Sequence, residues 1–319
     1  MKKRYASFIA AAGLFALLIV FSAEARTGAA AGLSLWAGLL VPSLLPYFAA
    51  AGLLMRLGFI SALGRRIAPL GQRLLGVSGA GCGIFLVGLS GGYPLGASAI
   101  AEAFRAGTVT REEAESLLRF CDNTGPAFAV GALGVGVFHS AATGLALWGV
   151  HALCALLLGI VYRRSGAQGA APARVTPPLS FSEALTASVS AAVSALLGIG
   201  GNVVFFSALL AIGETLGFPG ALAALCADRL GLSADILVAL FTGTLELSSG
   251  ISAMASLPRC TSTLSLGSFL LGWGGLCVHF QTAAVTAGTE LRLGGRFRAK
   301  LLHGLLSAAV TWLLSPFIL

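Results

Sequence analysis

Residues 88–96 (GLSGGYPLG) interrupt an apolar segment that is long enough to span a membrane. Four glycines and a proline in nine residues do not form an uninterrupted helix. Inside a bilayer every backbone N–H and C=O needs a partner, so non-helical backbone at that depth is tolerated only where it is buried in protein or lines a wet cavity. The stretch therefore predicts the tip of a re-entrant hairpin beside a site.

A second interruption lies about 155 residues further along, at residues 243–250 (GTLELSSG), again inside an apolar segment. Paired interrupted segments at corresponding positions of two halves are the best sequence indication of a transporter's binding site. We therefore predict two hairpins, one from each half of the chain, whose tips meet at a common site.

Composition identifies a membrane protein with several spans. Of 319 residues, 57% are hydrophobic and only 10% are charged, whereas a soluble domain carries roughly a quarter charged residues. The net charge is +8, but the basic residues cluster at the ends of apolar segments, where the positive-inside rule and anionic headgroups account for them without nucleic acid. These clusters are Lys2, Lys3 and Arg4; Arg65, Arg66 and Arg73; Arg163 and Arg164; and Arg292, Arg296, Arg298 and Lys300.

The predicted elements recur in the same order in two halves. Each half has a span, a partly amphipathic helix at the interface, a hairpin, an interrupted span and a final span. Within residues 33–164 they are placed at 33–57, 60–74, 77–101, from 120 onward and at 141–162, with a polar helix at 102–119. Within residues 181–319 they are placed at 187–213, 214–234, 235–257, 264–289 and after the basic run at 292–300. Residues 165–180, rich in Gly, Ala and Pro, form the predicted linker.

The two halves are predicted to be inverted repeats. Residues 47–58 (YFAAAGLLMRLG) align with residues 206–217 (FSALLAIGETLG), and Gly88 aligns with Gly243. If the basic clusters are cytoplasmic, the leading span of the first half enters from outside and that of the second half from inside, the arrangement that alternating access uses. The expected fold is an all-α polytopic membrane protein with about seven transmembrane helices and two re-entrant helical hairpins.

Four segments resemble the sporulation integral membrane proteins of the YlbJ type, which carry a nucleoside-recognition or Gate domain. They are residues 36–48 (WAGLLVPSLLPYF), 88–97 (GLSGGYPLGA), 107–131 (GTVTREEAESLLRFCDNTGPAFAVG) and 274–281 (GGLCVHFQ), the last followed by a basic tail. The resemblance extends over nearly the whole chain, and the segments occur in the expected order.

The resemblance implies a fold similar in plan to concentrative nucleoside transporters, whose two hairpins and two broken helices hold the solute with a coupling sodium ion or proton. It also implies a role in spore formation and the movement of dipicolinate across a membrane surrounding the forespore. The expected location is therefore the bacterial cell membrane or that forespore membrane. The expected partners are the lipid bilayer and a small-molecule solute, with a homo-oligomer left open.

Residues 1–25 have two interpretations. A basic start, an apolar run from Ala6 to Phe21 and residues 23–25 (AEA) are typical of a signal peptide with its cleavage site. A retained first span is favoured, because the family that the chain resembles keeps it.

Glu246 is the first candidate for binding a solute or ion, because it lies in the second hairpin among apolar residues with no base nearby in sequence. An unpaired carboxylate there costs several kcal/mol, so it is either protonated or binds a cation. The alternative is a structural hydrogen bond to the opposing hairpin. Asp122 and Asn123, in the first interrupted span, are the next candidates, and the alternative for Asp122 is that it caps a helix end.

Small hydroxyls at or near the helix breaks form a second group of candidates: Ser90, Thr124, Ser248, Ser249 and Thr282. Half-helix N-termini offer free N–H groups to an anionic solute and exposed carbonyls suit Na⁺, while the same hydroxyls alternatively satisfy the local backbone. His279 and Gln281, in the second interrupted span, are candidates for contact with solute, and His279 also for proton relay. Tyr93 either stacks on an aromatic solute or packs in the core.

These observations predict a transporter that moves a small anionic solute, similar to dipicolinate by family resemblance, by alternating access with Na⁺ or H⁺ as coupling ion. The solute is expected between the hairpin tips and the interrupted spans, around Asn123 and His279. A non-transporting scaffold for assembly of the spore envelope is the alternative.

Two further classes of site are not expected. Residues 88–91 (GLSG) fit a serine-protease pattern, but Pro94 breaks the helix that would support Ser90 beside a base and an oxyanion hole, so we predict no enzyme. The six cysteines lie far apart without the spacing of metal ligands, so no metal site is predicted. The chain also indicates no organic cofactor.

Overall fold

A computed structural model of the protein describes residues 2–163 and 179–319 as helices joined by short turns. Within these two ranges there is no β-strand. Several of the helices are long and apolar enough to cross a membrane. The expected all-α polytopic membrane fold is therefore confirmed.

The two halves of the chain have the same order of helices. The first half contains α1 (Lys2–Val20), α2 (Ser22–Leu35), a first π-helix (Trp36–Leu40), α3 (Val41–Arg56), α4 (Phe59–Leu75), α5 (Gly79–Gly91), α6 (Leu95–Arg105), α7 (Arg111–Phe120), a second π-helix (Ala127–Val135) and α8 (Ala141–Val161). The second half contains α9 (Phe181–Thr215), α10 (Phe218–Leu230), α11 (Ala234–Leu245), α12 (Leu247–Ala253), a 3₁₀ turn (Met254–Ser256), α13 (Thr261–Trp273), α14 (Gly275–Val285) and α15 (Gly294–Ile318). Helix α2, the first π-helix and α3 form one continuous span of 35 residues.

Five helices in the described ranges have the length and composition of membrane spans: Ser22–Arg56, Ala141–Val161, Phe181–Thr215, Thr261–Val285 and Gly294–Ile318. A sixth results if Ala62–Leu75 and Gly79–Gly91 are joined, but these two helices meet at 93°. That bend agrees with a change from an interfacial helix, α4, to the first arm of a hairpin, α5. The expected number of about seven spans, their inversion and the limits of the two repeats stay predictions.

Both hairpins and both interrupted spans break where the sequence predicts. The first hairpin turns at Gly92 to Pro94, with a cis bond between Tyr93 and Pro94, and the second turns at Glu246. Residues 121–126 separate α7 from the second π-helix, and Gly274, with a φ of +84°, separates α13 from α14. Glycine adopts this left-handed conformation without the steric cost of a side chain.

The first long span begins earlier than predicted, at Ser22 rather than at residue 33. Gly28 and Gly32 of this extension pack so closely on α9 that an added Cβ on either would collide with Ser207. Small residues allow such close approach of helices in membranes, and the resulting van der Waals contact stabilises the longer helix. Of the predicted linker at residues 165–180, only residues 179 and 180 lie within the described ranges.

The prediction that the last span follows the basic run at 292–300 is wrong. Helix α15 begins at Gly294 and carries Arg296 and Lys300 into the interior, where they are 2% and 0% exposed. Arg292 and Arg298 remain exposed, as an interfacial position requires. The run divides because Arg296 and Lys300 find polar partners inside the protein, which offset the cost of removing their charges from water.

Candidate functional site

One cavity lies where the two hairpin tips meet the two interrupted spans. Its interior volume is about 50 Å³, and the total space between these elements is about 520 Å³ when the open solvent at its mouth is counted. The facing sides of the first long span and α9 complete its mostly apolar wall. The residues that the four breaks contribute include Gly92, Tyr93, Thr124, Phe128, Glu246, Ser248, Cys277 and Gln281. The breaks predicted from each half of the sequence therefore share one site.

The tip of the first hairpin rests on the backbone of both interrupted spans. An added Cβ on Gly88 would collide with the carbonyl oxygen of Cys121, and one on Gly92 would lie 2.8 Å from an amide nitrogen of the first break. The Tyr93 hydroxyl donates a 3.1 Å hydrogen bond to the carbonyl oxygen of Leu271 in α13. Close backbone packing thus explains why this hairpin is rich in glycine.

Glu246 lies between α11 and α12 and lines the cavity, with 1% of its surface exposed. Its carboxylate accepts hydrogen bonds from the amides of Ser248, at 3.0 Å, and Ser249, at 2.6 Å. The thiol of Cys277, in the second interrupted span, lies 3.6 Å from Oε1. No basic side chain forms an ion pair with Glu246 within the described residues. The carboxylate caps its own hairpin, so the alternative of a hydrogen bond to the opposing hairpin is wrong.

Other candidates around the second hairpin differ in what they face. Ser248 lines the cavity, whereas the hydroxyl of Ser249 lies 3.4 Å from that of Ser207 in α9. Gln281 lines the cavity and is 8% exposed. Its side-chain amide makes no hydrogen bond to any residue in the described ranges. Gln281 therefore has a polar side chain that is available to a ligand.

Asp122 is fully buried and forms an ion pair with α15. Its Oδ2 accepts hydrogen bonds from Nη2 of Arg296 at 2.5 Å, Nε of Arg296 at 3.2 Å and the hydroxyl of Thr282 at 2.8 Å. Its Oδ1 has no partner in the described part of the chain. The alternative that Asp122 caps a helix end is wrong, because its partners are side chains of other helices.

The remaining candidates of the interrupted spans divide between the cavity and its support. Thr124 lines the cavity, and its hydroxyl donates a 2.8 Å hydrogen bond to a carbonyl oxygen of α13. Asn123 is fully buried, and its amide donates a 2.7 Å hydrogen bond to the carbonyl oxygen of Phe120 at the end of α7. His279 is half-buried, with Nδ1 2.6 Å from Nη1 of Arg296. Asn123 and His279 therefore contact groups that support the cavity wall.

Ser90 does not have the surroundings of a catalytic nucleophile. Its hydroxyl donates a 2.8 Å hydrogen bond to the carbonyl oxygen of Leu86, in its own helix. Within the described residues no imidazole is hydrogen-bonded to it, although a serine nucleophile needs an adjacent base. The same part of the chain contains no group of three or more His, Cys, Asp or Glu residues that could hold a metal ion.

Sequence reasoning missed a buried polar face on α15. Its members recur every three or four residues and are at most 2% exposed: Arg296, Lys300, His303, Ser307, Thr311 and Ser315. Polar side chains at this spacing in an apolar helix lie on one face and point to the interior of a bundle. The spacing of these polar residues in the sequence is the signal that identifies the face. The prediction that residues 292–300 lie at the membrane interface left this signal unrecognised.

Lys300 and two histidines connect this face to the first break. Nζ of Lys300 lies 2.9 Å from the carbonyl oxygen of Asp122 and 3.2 Å from Nδ1 of His303. The ring of His303 stacks on that of His151 in α8, with centroids 4.3 Å apart. His151 in turn accepts a 3.2 Å hydrogen bond from the amide of Thr124. A chain of polar contacts therefore leads from α15 to the cavity wall.

These features define a class: an integral membrane protein in which two hairpin tips and two interrupted helices enclose one cavity, the plan of many secondary transporters. Solved structures of the concentrative nucleoside transporter CNTnw share this fold. A variant in an outward-facing state has a TM-score of 0.62 at 16% identity, with 99% of this chain and 84% of CNTnw covered. The inward-facing, substrate-bound state has a TM-score of 0.59 at 16% identity, with 98% and 85% covered.

The chain is also similar to the sporulation integral membrane protein YlbJ of Bacillus subtilis strain 168. The identity is 28% over 308 residues, which cover 89% of this chain and 76% of YlbJ. No protein-family model matches the chain. The predicted resemblance to YlbJ-type proteins, the similarity in plan to concentrative nucleoside transporters and the location in a membrane are confirmed.

Proposed function

We propose that this protein is a carrier that moves a small solute across a membrane by alternating access. The observation that carries the proposal is the single cavity to which both hairpin tips and both interrupted spans contribute. In transporters built from repeats, the solute binds at such breaks and one structural unit moves against another around it. Thr124, Ser248 and Gln281 provide polar groups in an otherwise apolar wall, which is typical of small-molecule sites.

The likeness to CNTnw supports the alternating part of this proposal. Its solved structures include an outward-facing state and an inward-facing, substrate-bound state, and this chain resembles both at similar TM-scores, 0.62 and 0.59. A fold that reaches both states in CNTnw has the mobility that alternating access requires.

We further propose that the solute is anionic and travels with a proton or Na⁺. The second π-helix and α14 both begin at the cavity, and their N-terminal dipole ends favour negative charge. Among the described lining residues, however, the charged side chain is the Glu246 carboxylate. An anion beside it would be repelled unless Glu246 is protonated or a cation binds there. The proton or cation at Glu246 would therefore be coupled to the solute.

Dipicolinate is the solute that we propose first. The similarity to a sporulation membrane protein supports a role in spore formation, in the bacterial cell membrane or the membrane around the forespore. Dipicolinate itself follows from the resemblance that the sequence motifs indicate. A planar aromatic dicarboxylate suits a cavity lined by Phe48, Tyr93 and Phe128, with polar groups at the helix breaks.

The test is uptake of labelled dipicolinate into proteoliposomes, with and without gradients of H⁺ and Na⁺. We expect accumulation above that of protein-free liposomes, driven by one of the two gradients. Glu246→Gln should lower uptake at least about tenfold, equivalent to about 1.4 kcal/mol, because a glutamine amide can neither carry the coupled proton nor attract a coupled cation. The residual uptake should no longer respond to the gradient. Ser90→Ala is the matched control, since Ser90 hydrogen-bonds within its own helix and should leave uptake unchanged.

Three outcomes would contradict parts of this proposal. Equal accumulation with and without protein, for dipicolinate and for nucleosides, would contradict transport and favour the scaffold for spore-envelope assembly. Uptake of a nucleoside but not of dipicolinate would contradict the anionic solute alone. Full gradient dependence in Glu246→Gln would contradict the role of Glu246 in coupling.

A further inference from the structure

The C-terminal end of α7, where the first interrupted span breaks, presents carbonyl groups that are favourable for binding a cation. Helix α7 ends at Phe120, so the carbonyl groups that follow lack helical partners. The C-terminal end of a helix also carries the negative end of its dipole. In transporters with broken helices, unwound carbonyls and half-helix C-termini are the groups that hold Na⁺ or H⁺. The fold thus creates a position for positive charge beside the first hairpin.

Lys300 occupies this position from the opposite half of the chain. Its side chain is 0% exposed, and Nζ lies 2.9 Å from the carbonyl oxygen of Asp122. Nζ also lies 3.2 Å from Nδ1 of His303 and 5.0 Å from the centre of the Tyr93 ring. A carbonyl oxygen, an imidazole nitrogen and an aromatic face all attract positive charge, and an ammonium group has three N–H donors to offer. These surroundings suit a cation.

The neighbouring side chains are arranged to accept this cation. Nε2 of His303 lies 3.0 Å from the carbonyl oxygen of His151, so His303 donates there and its Nδ1 presents a lone pair to Lys300. Arg296, the other buried cation nearby, is engaged with the carboxylate of Asp122. No other cationic side chain hydrogen-bonds to a carbonyl of this break within the described ranges.

We propose that Lys300 is a built-in cation that occupies the cation position of the first helix break, so that this break keeps its shape without binding Na⁺. The proposal deepens the proposed function, on which its meaning for transport rests, because it leaves Glu246 as the place where a coupled proton or cation acts. Its test measures stability rather than uptake, so its failure and the failure of the transport proposal are distinguishable.

The experiment compares thermal unfolding of the purified full-length protein in NaCl, KCl and choline chloride at equal ionic strength. Both the wild type and the Glu246→Gln variant are measured. The variant has no carboxylate at position 246 that could itself bind Na⁺. We expect the Glu246→Gln protein to unfold at the same temperature in all three salts. Lys300→Ala in this background should lower the midpoint by about 4–10 °C.

Chemical rescue then tests whether the lost group acts as a cation in a fixed place. Propylammonium chloride should raise the midpoint of Lys300→Ala, because it replaces the three carbon atoms and the ammonium group removed beyond Cβ, while tetramethylammonium chloride should not. Lys300→Met is the matched control: it also lacks the charge but fills the space, so propylammonium should not raise its midpoint. Arg298→Met removes an exposed charge from the same helix and should leave the midpoint unchanged.

Several results would overturn the proposal. One is stabilisation of the Glu246→Gln protein by NaCl over choline chloride, because a metal ion would then bind although Lys300 is present. Others are a wild-type midpoint in Lys300→Met, or no response of folded Lys300→Ala to propylammonium. If Lys300→Ala does not fold, the comparison of salts with Lys300 in place still decides the question.

Discussion

Two of the four helix breaks, residues 121–126 of the first interrupted span and the tip of the second hairpin at Glu246, are held in opposite ways. At the first, cations from α15 bind the chain: Arg296 pairs with the Asp122 carboxylate, and Lys300 donates to the Asp122 carbonyl oxygen. At the second, the Glu246 carboxylate is bound by two amides of its own hairpin and by the Cys277 thiol. Within the described residues it has no cationic partner.

Helix breaks that contribute to one cavity therefore do not have equal roles. A buried carboxylate that is paired with arginine is locked, because changing its charge leaves the partner uncompensated. The Glu246 carboxylate is instead held by amides beside a cavity, with no cationic partner in the described residues. We therefore interpret residues 121–126 as a fixed structural support of the site, and the tip of the second hairpin as the place where the site changes state.

Arg296→Met is expected to have the largest effect on stability. It removes the ion-pair partner of the buried Asp122 carboxylate, and breaking a buried pair in this way costs about 3–5 kcal/mol. Thermal unfolding of the purified protein measures the loss, and Arg298→Met, which removes an exposed arginine of the same helix, is the control. Adding Asp122→Asn should restore part of the loss. A double variant no more stable than Arg296→Met would contradict the role of the ion pair.

Gly88→Ala should have the next largest effect. The added methyl group collides with the carbonyl oxygen of Cys121, and overpacking of this kind costs about 1–3 kcal/mol. Gly149→Ala in α8 is the matched control, because a Cβ there meets no atom within 4 Å. The control should be neutral or more stable by up to about 1 kcal/mol, since alanine favours helix. Equal unfolding midpoints for the two variants would show that the first hairpin is not packed on the break.

Glu246→Gln should cost less stability than Arg296→Met, although it should lower uptake strongly. The glutamine oxygen still accepts a hydrogen bond from one of the two amides, so the loss should resemble that of a weakened helix cap, about 0.5–2 kcal/mol. Unfolding and uptake are measured on the same preparation. If Glu246→Gln lost as much stability as Arg296→Met, the tip of the second hairpin would be as important for stability as residues 121–126, and the two breaks would not differ in role.

Gln281→Ala should have the smallest effect on stability, within about 0.5 kcal/mol, because its side chain makes no hydrogen bond in the described residues. It should instead raise the solute concentration that gives half-maximal uptake. Asn123→Ala is the contrasting variant. It loses the hydrogen bond to Phe120, so its free energy of unfolding should fall by about 0.5–1.5 kcal/mol. An unchanged concentration dependence in Gln281→Ala would exclude Gln281 from the solute site.

The predictions that the structure bears out concern local backbone behaviour. The turns at residues 92–94 and 246, and the breaks at residues 121–126 and 274, lie where the sequence predicts them. Glycine and proline act on the backbone at their own positions, whatever the distant surroundings. A break in an apolar segment also implies a protected or wet surrounding, because the backbone needs hydrogen-bond partners. Glu246 lies at such a break, so the same requirement makes it a candidate site residue.

The all-helical membrane class, the hairpins and the residues at the breaks thus follow from local sequence. Which of these residues are paired and which face the cavity depends on how the helices pack together. Asp122 and Arg296 are 174 residues apart in the chain, and their ion pair depends on the packing of α15 against the first break. The sequence marks both as charged, but the cost of burying a charge depends on a partner that folding alone brings within reach.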